Sequence, residues 1–275
     1  MNLLLKSKIK QSCAGLLLAL TASFAHADIT TGLLGWYGFE NNADDSSGNA
    51  RNGAATAVTY AAGRVGQAAV FNNTTSFVTV AGLSGVLPSG NSNRTVAFWV
   101  KPSSTADNGN MVSWGNSGAG NTVRFSALME AGGELRMIGE FADTNSGFFL
   151  PTSSWTHVAL TYGTTNQVQF YVNGVLQATT PVVLNTNAGA PLRIGVNAQG
   201  RNDEFFGGSI DEVRVYNRVL SAADVTELFN STAVAGSGSS AVAPVPTLGE
   251  WGVILLSALM LGTLWIRRRR QSSIL

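Results

Sequence analysis

The 275-residue chain contains very little cysteine, histidine or charge. Its one cysteine is Cys13, and its two histidines are His26 and His157. Because no cysteine follows the first 27 residues, disulfide bonds cannot stabilise the rest of the chain. A single remaining histidine also nearly excludes a zinc or copper site, since those metals prefer sulfur and imidazole ligands.

Positive charge is scarce between the two ends of the chain. Three lysines lie in the first ten residues and four arginines at residues 267–270, which leaves ten basic residues against 16 acidic ones. The region between the ends is therefore mildly acidic, although the whole chain has a formal charge of +1. Such a region offers no basic stripe that could neutralise phosphates, so nucleic acid is not an expected partner.

The N-terminus has the pattern of a secretory signal peptide. Three lysines precede an apolar stretch over residues 14–24, and small residues follow at Ala25 and Ala27. We expect signal peptidase to remove residues 1–27. Cys13 precedes the apolar stretch rather than following it, so acylation as a lipoprotein is not expected.

The C-terminus carries a second apolar run, over residues 253–266, followed directly by four arginines. As a helix, residues 248–266 would span about 28 Å, which is close to the thickness of the hydrocarbon core of a bilayer. We therefore predict a transmembrane helix here. Since arginine clusters stay on the cytoplasmic side, the preceding chain should lie outside the cytoplasm.

The sequence VPTLGEWG at residues 245–252 leads into this run. Together with the apolar run and the arginines it resembles the IPTL-CTERM sorting signals, with Val245 in place of the usual isoleucine. The resemblance implies a bacterial protein with a sorting signal over residues 245–270, read by an exosortase-type enzyme. The chain would be held transiently in the inner membrane and then placed on the cell envelope or in an extracellular matrix; an ordinary tail anchor is the alternative. The residues that carry the signal are Val245, Pro246, Thr247, Leu248, Trp251, Gly252, Arg267, Arg268, Arg269 and Arg270.

Between the two signals, the dominant hydrophobic period is two. Runs such as TVAFWV at residues 95–100 and QVQFYV at residues 167–172 are rich in β-branched and aromatic residues and are bounded by turn formers. We predict ten or more short strands in two packed sheets, which is an all-β fold. Asn173 and Gly174 predict a type I′ hairpin turn.

One helix and one linker interrupt this pattern. Ser221 and Asp224 have the spacing of a helix N-terminus, and Val225, Leu228 and Phe229 then fall on one helix face. We expect this helix to cover a sheet edge or an open end of the sandwich. Residues 231–244 are small and uncharged, which indicates a flexible linker.

Four segments together resemble the bacterial laminin-G-like domains of the concanavalin A-like lectin/glucanase superfamily. They are WYGFE with DSSGN at residues 36–40 and 45–49, VAFWVKP at 96–102, WTHVA with FYVNG at 155–159 and 170–174, and GSIDEVRVYNR with LS at 208–218 and 220–221. The resemblance implies an antiparallel jelly-roll β-sandwich over residues 28–230. Many members are carbohydrate-binding or adhesive modules, often with a structural calcium ion.

Oxygen ligands are what the composition leaves for a metal, and calcium prefers six to eight of them. The resemblance implies calcium ligands at Glu40, Asp45 and Asp211, with Asn49 contributing a further oxygen. The alternative is that Asp45 and Asn49 only stabilise a tight turn by bonding to nearby backbone groups.

Sugar binding would use exposed aromatic rings beside amides and carboxylates. The candidates in predicted loops are Trp114, Asn116, Asn121, Asp203 and Phe205. The alternative is that these aromatic residues belong to the core, where we also expect Trp36, Trp99 and Trp155.

Catalysis is not expected. Retaining glycosidases need two carboxyl groups about 5 Å apart, whereas the acids of Asp203-Glu204 and of Asp211-Glu212 are adjacent and would face opposite sides of a strand. His157 lies among apolar strand residues and is expected to be packed. We therefore predict a non-catalytic module that binds extracellular polysaccharide. The alternatives are an adhesive surface protein that contacts other proteins and a polysaccharide hydrolase or lyase on the same fold.

Overall fold

The computed structural model describes residues 28–106, 108–115, 123–198 and 204–235. The leader at residues 1–27, the sorting signal at residues 245–270 and the predicted transmembrane helix at residues 248–266 lie outside the described residues. Among the residues that are described, no helix is long and apolar enough to cross a membrane.

Within these ranges the chain forms 15 strands and one α-helix. The elements are β1 (Leu33–Tyr37), β2 (Ala54–Thr56), β3 (Thr59–Ala62), β4 (Gln67–Asn72), β5 (Phe77–Val80), β6 (Arg94–Pro102), β7 (Gly109–Trp114), β8 (Phe125–Met129), β9 (Glu134–Ile138), β10 (Thr144–Phe149), β11 (Thr156–Gly163), β12 (Gln167–Val172), β13 (Val175–Pro181), β14 (Leu192–Ile194), β15 (Gly207–Tyr216) and α1 (Ala222–Ala235).

The strands form two antiparallel sheets, as predicted. The larger sheet has the order β13-β12-β11-β6-β15-β4-β3, with β1 also paired to β15. The smaller sheet has the order β10-β9-β8-β7-β14-β5-β2. Neighbours that are distant in sequence, such as β6 beside β15 and β7 beside β14, give the crossed connections consistent with a jelly roll.

One hydrophobic core fills the space between the sheets. Alternate residues of the strands point inward, so Phe98, Leu160 and Phe170 of the larger sheet belong to the same buried cluster as Met111 and Phe125 of the smaller sheet. The residues between them face outward.

The hairpin between β12 and β13 forms where Asn173 and Gly174 predict it. Both residues have positive φ, 50° and 81°, and Val172 pairs with Val175 across the turn. These are the angles that a two-residue turn of this kind requires.

Helix α1 begins with the predicted capping box. The Asp224 N–H donates to Ser221 Oγ at 3.1 Å, and the Ser221 N–H donates to Asp224 Oδ2 at 2.9 Å. Its position differs from the expectation, because it covers a sheet face rather than an edge or open end. Val225 and Leu228 pack in a second cluster against the outward face of the larger sheet, which presents small residues there at Ala97 and Ala159.

Candidate functional site

Asp211 is a buried carboxylate on β15. Its Oδ2 accepts the N–H groups of Arg64 and Val65 at 2.8 and 2.9 Å, whereas its buried Oδ1 has no hydrogen-bond partner. Burial raises the pKa of Asp211 to about 7. A charged carboxylate in this position would be stabilised by a cation.

Glu40 meets the same loop from the other side. Its Oε2 accepts the N–H of Gln67 at 3.0 Å. The loop can approach both carboxylates because it carries Gly63 and Gly66: a Cβ at Gly63 would lie 2.7 Å from Asp211 Oδ2, and one at Gly66 would overlap the Glu40 carboxylate. The loop at residues 63–67 therefore joins two acids that are distant in sequence.

Asp45 serves the turn that follows β1. Its carboxylate accepts N–H groups of Trp36, Ser47 and Arg51 at 3.1, 2.9 and 3.0 Å. Although burial acts in the opposite direction, these hydrogen bonds hold the pKa of Asp45 below its usual range. Asn49 Nδ2 donates to the Leu33 carbonyl at 3.1 Å, which ties the same turn to β1.

The four residues predicted as calcium ligands do not form one cluster. In the described part of the chain, no group of three or more His, Cys, Asp or Glu side chains could hold a metal ion. Asp45 and Asn49 have the turn-stabilising contacts that the sequence left open as an alternative. Glu40 and Asp211 contact the same loop at residues 63–67, and the unpartnered Oδ1 of Asp211 has the chemistry of a ligand for an oxygen-bound cation.

Glu212 lies beside Asp211 at an irregular point of β15. The strand register shifts between Asp211 and Arg214, and Glu212 has a φ of 54°. Its Oε2 accepts from Trp36 Nε1 at 3.2 Å and pairs with Arg214 at 2.7 Å. Asp211 and Glu212 were predicted to face opposite sides of the strand. The irregularity changes this, and both carboxylates contact groups on the outward side of the larger sheet.

Trp36 and Trp155 are half-buried, so the prediction that they lie inside the core was wrong. Arg214 stacks on the Trp36 ring at 4.4 Å, and Trp36 lines a surface cavity of about 350 Å³ with Leu33 and Val65. Trp99 is buried, but beneath helix α1, where its Nε1 donates to Thr232 at 2.7 Å.

His157 is the packed strand histidine that the sequence predicts. Its ring centroid lies 5.3 Å from that of Trp99 and 6.0 Å from that of Phe229. Burial, together with the charge of Arg214, lowers the pKa of His157 to about 3. The imidazole is therefore neutral and enclosed at physiological pH.

The aromatic residues predicted to stack on sugar are buried, so this part of the prediction was wrong. Trp114 has no exposed surface, lies 4.6 Å from Phe125, and donates from Nε1 to the Pro88 carbonyl at 3.1 Å. Phe205 is also buried. The polar candidates Asn116, Asn121 and Asp203 lie outside the described residues.

A polar group that the sequence analysis missed lies next to Phe205. Glu204 Oε2 accepts from Asn110 Nδ2 at 2.7 Å and from Arg124 at 3.2 Å. The available signal was strand alternation: with Phe125 facing the core, Arg124 and Ser126 must face away from it.

Two parts of the chain match known families. Residues 71–226 match the family described as Concanavalin A-like lectin/glucanases superfamily. Residues 243–270 match the IPTL-CTERM motif, which begins two residues before the predicted signal. No curated protein matches the chain significantly.

Solved structures of similar fold include domain 4 of AbnA, a GH43 extracellular arabinanase from Geobacillus stearothermophilus, in complex with arabinotriose. That domain is 29% identical with a TM-score of 0.58, and the match covers 71% of this chain and 97% of the domain. The binding domain of Paraclostridial Mosquitocidal Protein 1 is 21% identical with a TM-score of 0.57, over 74% of this chain and 53% of its own. A structure of botulinum neurotoxin type C, described with two ganglioside molecules, is 17% identical with a TM-score of 0.55, over 74% and 52%. The chain thus spans about half the length of the last two, which share its fold.

Proposed function

Because the chain belongs to the concanavalin A-like lectin/glucanases superfamily, we propose that it is an exported module that binds extracellular polysaccharide without cleaving it. The observation that carries this proposal is the likeness to domain 4 of AbnA, which covers 97% of that domain at 29% identity. That domain was solved with arabinotriose bound, and a similar use of the fold is the simplest one to propose here.

The proposed route of export uses both ends of the chain. The match to the IPTL-CTERM motif at residues 243–270 supports sorting by an exosortase-type enzyme. We propose that signal peptidase acts before this, at the N-terminus. We propose that the C-terminal helix holds the chain transiently in the inner membrane. The binding domain would then reach the cell envelope or an extracellular matrix.

Binding without cleavage is supported by the state of the titratable groups. One oxygen of Asp211 is bound by the loop at residues 63–67, and Glu212 is bound by Trp36 and Arg214, so the two acids are held by different groups. His157 is neutral and enclosed, so it could not exchange protons with a substrate.

A structural calcium ion is part of the proposal. Glu40 and Asp211 would hold it, together with backbone carbonyls and water, since calcium prefers six to eight oxygen ligands. The ion would supply positive charge to two carboxylates and fix the loop at residues 63–67 between them. The ion would affect ligand binding only indirectly, through this support of the fold.

The test is native affinity electrophoresis of the full-length protein in gels that contain arabinan, dextran or mannan, run with calcium and with a chelator. Retardation by at least one polysaccharide is the expected result, and a chelator should weaken it. Unchanged migration in every gel would contradict the proposal. Appearance of reducing ends during incubation with a retarding polysaccharide would instead favour a hydrolase.

The second candidate is an adhesive protein, and the exposed edge of the larger sheet favours it. Strand β13 is the last strand of that sheet, and its Val175 and Leu176 are 61% and 46% exposed. Unpaired edge strands with apolar side chains readily pair with other chains. Self-association that Val175→Lys abolishes, seen by analytical ultracentrifugation without any glycan, would support this candidate.

A further inference from the structure

The outward face of the smaller sheet carries buried polar and charged side chains. A sheet face covered only by water would leave such side chains exposed. On β8, Phe125, Ala127 and Met129 point into the core. The alternate residue Ser126 therefore faces outward, yet it has no exposed surface. Arg124, which precedes β8 on the same side, is only 5% exposed.

Five side chains converge at this point, and we call them the Arg124 cluster: Asn110, Arg124, Ser126, Glu140 and Glu204. Arg124 reaches Glu204 at 3.2 Å and Glu140 at 3.6 Å. Asn110 Nδ2 donates to the same Glu204 oxygen at 2.7 Å, and Ser126 Oγ donates to Asn110 Oδ1. Residues from four separate parts of the chain thus form one polar group.

Arg124 keeps an unused donor inside this group. Its Nε is buried and makes no hydrogen bond, although it forms an ion pair with Glu140 Oε2 at 3.6 Å. A buried guanidinium N–H without a hydrogen bond is costly. An oxygen of a bound molecule could satisfy it.

The two carboxylates are accessible from solvent. The Glu140 and Glu204 side chains are 21% and 29% exposed. A carboxylate has about four lone-pair positions. The cluster therefore has acceptors that hydroxyl groups from solvent, or from a ligand, can reach.

Phe141 is an exposed apolar residue next to the cluster in sequence. It follows Glu140 directly and is 82% exposed. Both residues have left-handed backbone angles, with φ of 63° and 62°, and Glu204 has a φ of 58°. Non-glycine residues seldom adopt these angles unless the surrounding structure holds them there.

We propose that the Arg124 cluster, with Phe141, is the site at which this chain binds a neutral oligosaccharide. This inference rests on the proposed function and assigns its site. Sugar hydroxyls donate to Glu140 and Glu204, a sugar oxygen accepts from Arg124 Nε, and Phe141 packs on the apolar C–H face of a ring. The ligand is neutral because two carboxylates oppose one guanidinium, so the charge of a uronic acid would be repelled.

The test compares variants of the full-length protein in affinity gels that contain arabinan, dextran or mannan as neutral probes and alginate or polygalacturonate as acidic ones. Phe141→Ala should weaken retardation by the best neutral probe about tenfold, since one stacked ring is lost. Glu204→Gln should weaken it at least about tenfold, because a charge-assisted hydrogen bond is lost.

Two matched variants control for general effects. Val175→Ala removes an exposed apolar side chain from the other sheet, and Glu227→Gln neutralises a carboxylate on helix α1. Both should bind like the unmodified chain. Phe141→Ala removes a side chain that is mostly in solvent, so the variant should unfold at the same temperature as the unmodified chain. A loss of binding can then be attributed to the missing ring.

The outcomes separate the site from the function. If the unmodified chain binds a neutral probe and the Phe141 and Glu204 variants bind equally well, the assigned site is wrong while the proposed function stands. Tighter binding to alginate or polygalacturonate than to every neutral probe would overturn the ligand class. If the unmodified chain binds none of the probes, the proposed function fails, and this inference fails with it.

Discussion

Burial keeps the imidazole of His157 neutral in the folded chain, where its pKa is about 3. In the unfolded chain a histidine has a pKa of about 6.5. Between these two values the unfolded state binds a proton that the folded state does not. The resulting stability is therefore complete above pH 6.5 and is lost as the pH falls toward 3, by up to about 1.4 kcal/mol per pH unit.

We predict that His157→Leu removes this dependence. From pH 7 to pH 5, the free energy of unfolding of the unmodified chain should fall by about 2 kcal/mol more than that of the variant. Urea unfolding at both pH values measures this difference. Other groups, including Asp211 with its raised pKa, titrate in both proteins and cancel in the comparison. Equal pH dependence in both proteins would show that folding does not lower the pKa of His157.

Gly66 faces a carboxylate, and Gly48 provides its control. Both have positive φ, 52° and 85°, but a Cβ at Gly66 would overlap the Glu40 carboxylate, whereas one at Gly48 would meet nothing within 4 Å. Gly48→Ala should cost only the backbone strain, about 1 kcal/mol. Gly66→Ala should cost about 2 kcal/mol, since Glu40 must also move and give up the hydrogen bond that it accepts from the Gln67 N–H. Similar unfolding free energies for the two variants would mean that the loop is not held against Glu40.

Single positions differed in how far the sequence could predict them. The burial of His157 was predictable, because its strand neighbours are apolar. The orientation of Asp44 and Asp45 was not, since it depends on which carboxylate meets the N–H groups of Trp36 and Arg51. Trp114 was predicted to lie in a loop, and only its contact with Phe125 and its hydrogen bond to the Pro88 carbonyl show that it is buried.

At the scale of elements, helix α1 depends on its first turn. Ser221→Ala removes the acceptor of the Asp224 N–H and should destabilise the protein by about 1 kcal/mol. Ser231→Ala, near the other end of the helix, is the matched change and should stay within about 0.5 kcal/mol. Thermal unfolding of the two variants measures the difference. Equal effects would show that the capping box contributes no stability.

Strands were predictable where burial imposes a period of two. β6, β11 and β12 are neighbouring strands inside the larger sheet, and the alternation of their apolar residues is clear in the sequence. β2, β3, β4 and β10 carry no such signal, because they are built largely from alanine, threonine, asparagine, serine and glycine, and the first two are mostly exposed. Their pairing to neighbouring strands, rather than their own composition, makes them strands.

The face covered by α1 was likewise beyond the sequence. An amphipathic helix shows which of its sides is buried but not what it is buried against. The small residues Ala97 and Ala159 on the outward side of the larger sheet allow the helix to approach there. Those two residues alternate with core residues, so only the pairing of β6 with β11 brings them together.

At the scale of the whole molecule, the two ends of the domain close on each other. β1 pairs with β15, and the Tyr216 hydroxyl donates to the Ile29 carbonyl at 3.0 Å. Contacts between such distant residues make the fold slow to form but mutually dependent once formed. Glu40 follows β1, Asp211 lies on β15, and the loop at residues 63–67 joins them, so a cation bound there would connect three separate regions.

We therefore predict that calcium stabilises the whole molecule. At a calcium concentration 100 times its dissociation constant, the gain is about 2.7 kcal/mol, which would raise Tm by about 5–10 °C for a domain of this size. Asp211→Asn and Glu40→Gln should abolish the increase, because each replaces a carboxylate that would hold the ion. Asp44→Asn, which neutralises an exposed carboxylate, should keep it. Scanning calorimetry with calcium and with a chelator gives the result. A Tm of the unmodified chain that does not respond to calcium, or an Asp211 variant that still responds, would show that these two carboxylates do not form a calcium site.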